Sequence, residues 1–137
     1  MSLYLCVYED DEDLEGFQVG PYTDFGAFRD YVTRELEAGS AGSRFPTLIL
    51  HSDCDGEWSV AECERLRDEL ARIAIEMKAR PAVEFSSEWQ RIEAQSAGLV
   101  PRNALESFLD VNGGFLVESL QRLTEFALEH RAPISFQ

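Results

Sequence analysis

The chain has 137 residues, enough for one domain that buries roughly two-thirds of its unfolded surface. Its 45% hydrophobic and 28% charged content excludes disorder, and no apolar run reaches the roughly eighteen residues of a membrane-spanning helix. With 26 acidic residues against 12 basic ones the net charge is −14, which excludes phosphate backbones and anionic membrane surfaces as natural partners.

The first element is Leu3 to Tyr8, rich in aromatic and β-prone residues, and it reads as a buried strand. Glu9 to Asp13 follows as five consecutive like charges, which a sheet interior cannot hold, so a solvated loop is predicted. Gly16 to Gly20 returns as a short edge strand before Pro21. From Thr23 or Asp24 to Ala38 the residues Phe25, Phe28, Val32 and Leu36 share one helical face, and Gly39 sits where a C-cap belongs. Phe45 to Leu50 is almost continuously apolar and reads as a second central strand, buried on both faces as in parallel sheets.

The longest predicted helix runs from Ser59 to about Arg80, with Leu66, Leu70, Ile73 and Met77 on its core face and Pro81 ending it. Ala82 to Asn103 carries a weaker pattern, with a short helix over Trp89 to Ala97 closed by Gly98. Ser107 to Val111 reads as a strand, Asn112-Gly113-Gly114 as a turn, and Phe115 to His130 as an amphipathic helix. Ile134 to Phe136 reads as a terminal strand. Strands alternating with helices predict a single α/β domain over residues 1–137. Its sheet is mixed or mostly parallel, of about four to five strands, with helices packed on it.

His51 to Ser59 is the segment richest in chemistry, and three readings compete for it. Ser59 followed by Glu62 is a capping box, and Asp55-Gly56 is a turn dipeptide. Counting from His51, Asp53, Asp55, Gly56 and Glu62 occupy positions three, five, six and twelve of a calcium loop, but imidazole is a poor first ligand for a hard cation. The third reading is an acidic surface. Asp53 and Asp55 follow one predicted strand, Asp110 another, and the acids Asp10, Asp11 and Asp13 a third. In a parallel sheet all would gather at one edge. Glu57 and an interface-anchoring Trp58 belong with them. An acidic pole of this kind steers basic proteins toward itself.

An enzyme centred on His51, Asp53 and Asp55, metal-dependent or hydrolytic, is the alternative. Near-neighbours at a tight junction seldom converge on one reacting atom, and the chain holds no phosphate loop, dinucleotide fingerprint, zinc spacing or nucleophile elbow. No metal or cofactor is expected. Cys6, Cys54 and Cys63 are an odd count without metal spacing, which fits free thiols in a reducing, cytoplasmic setting. No basic leader with a small-residue cleavage site is visible.

Tyr4 to Tyr8, Val19 to Arg29, Arg44 to Ser59, Glu106 to Val111 and the ending Pro133 to Gln137 are similar to a family of small bacterial immunity proteins of polymorphic toxin systems. The resemblance covers most of the chain outside Ala82 to Asn103 and carries no catalytic residue. It implies a cytoplasmic protein that neutralises a cognate toxin by binding it. Many such toxins are nucleases with basic substrate sites, which an acidic protein can occupy as a nucleic-acid mimic.

Overall fold

The computed structural model describes residues 2–137. Four strands form one sheet in the order β2-β1-β4-β3: β1 Ser2–Glu9, β2 Glu12–Pro21, β3 Glu57–Trp58 and β4 Ile134–Phe136. Every neighbouring pair is antiparallel, which corrects the mostly parallel sheet expected from the alternation of elements.

The correction has a local cause. Two of the apolar runs read as strands bury themselves without joining the sheet. Phe45 to Leu50 instead forms a single helical turn, α2, over Pro46–Ile49. Pro46 suits a first helical turn because its missing N–H would be unpaired there anyway. The Glu69 carboxylate accepts the N–H groups of Thr47 at 3.1 Å and Leu48 at 3.0 Å, so the turn is capped by a side chain from a neighbouring helix. Leu105–Ser107 is a 3-10 turn, and the stretch beyond it makes only one isolated bridge, Leu109 to Phe115. With both candidate crossovers gone, the chain builds its sheet from a hairpin and two late strands.

The helices follow the hydrophobic periodicity closely. Helix α1, Tyr22–Tyr31, continues into a wider π-turn over Val32–Leu36 and buries Phe25, Phe28, Tyr31, Val32 and Leu36. Helix α3, Val60–Lys78, opens with both halves of the predicted capping box. The Glu62 N–H reaches Ser59 Oγ at 3.2 Å, and the Ser59 N–H reaches Glu62 Oε1 at 3.0 Å. Helix α4 is Glu88–Ser96 and α5 is Leu116–His130.

Leu3, Leu5 and Val7 point from β1 into a continuous core with Trp58, Ile134, Phe136 and the apolar stripes of α1, α3 and α5. Successive strand residues face opposite ways, so Tyr4, Cys6 and Tyr8 lie on the other face.

The segment that carried the weakest pattern is fixed by one buried carboxylate. Asp24, on α1, accepts hydrogen bonds from Trp89 Nε1 at 2.7 Å, Ser86 Oγ at 3.1 Å and Ser87 Oγ at 3.4 Å. Its contacts tie α4 to α1 across more than sixty residues of sequence. Glu37 plays the same part nearer home. Its buried carboxylate gathers the N–H groups of Gly42, Arg44 and Phe45 at 2.9 to 3.0 Å and closes the connector into a compact loop.

Candidate functional site

Of the acidic run expected as a loop, only Asp10 and Asp11 form the turn of the β1–β2 hairpin. Glu9 ends β1, and Glu12 and Asp13 begin β2, because an exposed strand tolerates charge. Glu9 pairs with Glu12, and Asp10 and Asp11 between them both take positive φ, 51° and 63°. That is the conformation of a two-residue hairpin turn matching strand twist, and aspartate tolerates it better than most residues. Six acids lie in this hairpin, at positions 9 to 13 and 15, and the first basic residue of the chain is Arg29. Glu9 directly opposite Glu12 is a like-charge pair that weakens a hairpin. The tip thus holds its charge at some expense to its own stability.

Behind the tip, Tyr4 donates to Asp13 Oδ2 at 2.6 Å. That bond to a carboxylate, reinforced by partial burial and the Asp13 charge, raises the Tyr4 hydroxyl above the ordinary tyrosine range. The phenol therefore stays a neutral donor. Gly16 makes room for the ring, since a Cβ there would come within 2.4 Å of the Tyr4 hydroxyl and 2.8 Å of Cys6 Cβ.

The second acidic region is the turn before β3. Asp53, Asp55 and Glu57 are exposed, and Ser52 Oγ accepts the N–H groups of Cys54 and Asp55 at 3.3 and 3.4 Å. Gly56, at φ 81°, completes the turn. The His51 ring stacks on Phe136 at 4.3 Å and sits 5.3 Å from Trp58. Its Nδ1 lies 2.8 Å from the Ser52 carbonyl and its Nε2 lies 2.9 Å from the Glu57 carbonyl. Both nitrogens thus face backbone carbonyls of the turn, and the neutral ring, with its single N–H, donates to one of them. Arg29 holds the same turn from α1, donating to the carbonyls of Ile49 and, at 2.8 Å, His51.

The residues at the calcium spacing are not brought together. Glu62 is committed to the helix cap, and among the described residues no three His, Cys, Asp or Glu side chains are grouped to hold a metal ion. The thiols are similarly quiet in two of three places. Cys6 and Cys63 are buried, and burial pushes Cys6 up and Cys63 up to about 11, so neither is a ready nucleophile.

The expected acidic residues are not gathered at one edge. β1 and β3 both run antiparallel to β4 and so share a direction. Glu57, level with Ser135, is also level with Cys6. The hairpin tip lies beyond Tyr8, whereas Asp53 and Asp55 precede β3 and fall toward the other end. Three inter-strand steps of about 4.8 Å separate β2 from β3 as well. Two acidic regions result, at opposite corners of the sheet.

Trp58 and Asp110 belong to neither. Trp58 is fully buried with its Nε1 donating to the Thr47 carbonyl at 2.9 Å, because the period-two alternation turns it inward when Glu57 faces out. Asp110 is buried at a turn. It accepts from the N–H groups of Asn112 and Gly114 at 2.9 and 3.0 Å and from Ser119 Oγ at 2.5 Å. Both are structural. Asp13 and Glu57, by contrast, share the sheet face that carries Tyr4 and Tyr8.

Comparison with known families finds a match between residues 3–136 and the family described as Immunity protein 70. The chain belongs to the Immunity protein 70 family. No curated protein and no solved structure matches. An immunity protein answers a toxin, so the family implies a toxin partner. No helix among the described residues is long and apolar enough to cross a membrane.

Proposed function

We propose that this chain is a single-domain cytoplasmic immunity protein that binds a cognate, basic toxin through its acidic surface and blocks it without chemistry. The observation that carries the reading is the family match over nearly the whole chain, joined to a net charge of −14. Exposed acids at Asp10, Asp11, Asp13, Asp53, Asp55 and Glu57 supply the field. Such a field concentrates a basic partner and raises its association rate by roughly 10 to 1,000-fold. Binding alone then suffices, because a toxin whose substrate surface is covered cannot act.

The test is stoichiometric inhibition. Purified chain is titrated into the toxin encoded beside its gene, and toxin activity and complex formation are followed together. Loss of activity complete at one equivalent, with a stable complex on gel filtration, is the expected result. Inhibition that continues to turn over at far below one equivalent would contradict binding and favour an enzyme.

A further inference from the structure

We infer that the toxin docks on the uncovered face of the sheet, across β1, with basic side chains reaching the acids at its margins. The inference rests on the immunity reading above and specifies the surface. Leu3, Leu5 and Val7 bring the helices to one side of β1. Among the described residues, no helix packs its apolar stripe on the other side. That free side carries Tyr4, Tyr8, Gly16, Gln18 and Glu57, with Cys6 beneath them.

The composition of this face is unusual for a surface left to water. A solvated sheet face normally reads as polar and charged. Here two partly exposed tyrosines flank a fully buried Cys6 that stands outside the main core. Lysine and arginine are absent from all four strands.

The face is also preorganised. Gly16 lets the Tyr4 ring lie close to the sheet, and Asp13 fixes its hydroxyl. Tyrosine held in place before binding loses little side-chain entropy on contact, which is why it recurs among residues that dominate interfaces.

Charge decides the occupant. Asp13 at one side, Glu57 at the other and the Asp10–Asp11 tip at one end frame the tyrosines with negative charge alone. A second copy of this chain would bring the same sign against itself, and nucleic acid would bring phosphates. A basic protein surface fits.

The experiment compares two variants matched in charge, using a catalytically inactivated form of the toxin encoded beside the gene. Tyr8→Arg/Gln18→Arg adds two cations to the open face. Ala71→Arg/Ile75→Arg adds two to the exposed side of α3. Calorimetric titration at physiological salt should show the first variant weakened at least 100-fold and the second within threefold of the parent. Thermal melts confirm that each is folded, and the exposed single change Glu57→Lys, expected to weaken binding about tenfold, serves if the double variant is not. Equal affinities for the two double variants would overturn the face while leaving the immunity reading intact. A parent chain that fails to bind would overturn both. Concentration-dependent dimerisation abolished by Tyr8→Arg/Gln18→Arg would assign the face to self-association instead.

Discussion

Removing the Glu37 carboxylate tests how a single buried acid organises the loop before α2. In Glu37→Ala, three backbone N–H groups lose a charged acceptor. Hydrogen bonds to charged groups contribute about 1.5 to 3 kcal/mol each. Gly42 and Arg44 lie at or near the surface, so water replaces much of their loss. Phe45 is buried, and its N–H cannot be rescued as easily. Taking about 1.5 kcal/mol for Phe45 and about half that for each of the others gives a destabilisation of roughly 3 kcal/mol. At this chain length each kcal/mol lowers the melting temperature by about 3 to 4 °C, so a fall of about 10 °C is expected. Glu37→Gln keeps one carbonyl oxygen and should lose about half as much. Urea unfolding monitored by tryptophan fluorescence measures both, with an unchanged denaturant slope showing that the unfolded state is unaltered. A loss below about 1 kcal/mol for Glu37→Ala would refute the view that this carboxylate closes the loop.

Gly16→Ala should destabilise by about 1 to 3 kcal/mol through overpacking against Tyr4 and Cys6, and Tyr4→Ala in the same chain should recover much of it, as a double-mutant cycle would show. The Glu76 carboxyl is held below its ordinary value by hydrogen bonds from Arg44 and Arg72, and that of Glu106 by Arg102. Their stabilisation is therefore full above the unfolded glutamate value of about 4.3 and is lost as pH falls through the lowered folded values. Urea midpoints between pH 3 and 6 should accordingly fall less steeply in Glu76→Gln than in the parent, and parallel curves would contradict this. His51→Ala loses stacking on Phe136 and two carbonyl contacts, a cost of about 1 to 2 kcal/mol, yet should still protect cells that express the toxin. A folded variant that binds toxin but fails to protect would revive the hydrolytic reading.

Much of the helical structure was legible because its apolar residues repeat at the helical period. The stripes of α1, α3 and α5, the Ser59–Glu62 cap and the terminal strand all follow from near neighbours in sequence. Phe45 to Leu50 misled because continuous apolarity marks burial without distinguishing strand from helix. What turns it into a helix is Pro46 together with Glu69, twenty-one residues ahead of Leu48. Asp24 and Glu37 were equally illegible, since on a helical wheel each is one more acid. The donors to Asp24 lie more than sixty residues away, and those to Glu37 are backbone groups of the loop that follows it. The acidic pole failed as geometry for the same reason. Its members were placed by analogy with parallel strand ends, and the antiparallel order sends Asp53 and Asp10 to opposite corners. A signal for the open face did exist in Tyr4, Cys6 and Tyr8, which alternate with Leu3, Leu5 and Val7, so one face of β1 had to carry aromatic residues away from the core.

The account stands on electrostatic capture of a basic toxin, and the association rate across a salt series measures that directly. Asparagine tolerates the left-handed conformation of the hairpin turn, so Asp10→Asn/Asp11→Asn removes two charges while keeping the tip. The parent chain should associate at least about 10-fold more slowly in 1 M salt than in 0.1 M, as the Debye length falls from about 10 Å to about 3 Å. The double variant should be several-fold slower than the parent at low salt and indistinguishable from it at high salt, with dissociation nearly unchanged. An association rate that ignores both salt and the two substitutions would contradict the account and assign recognition to apolar contact alone.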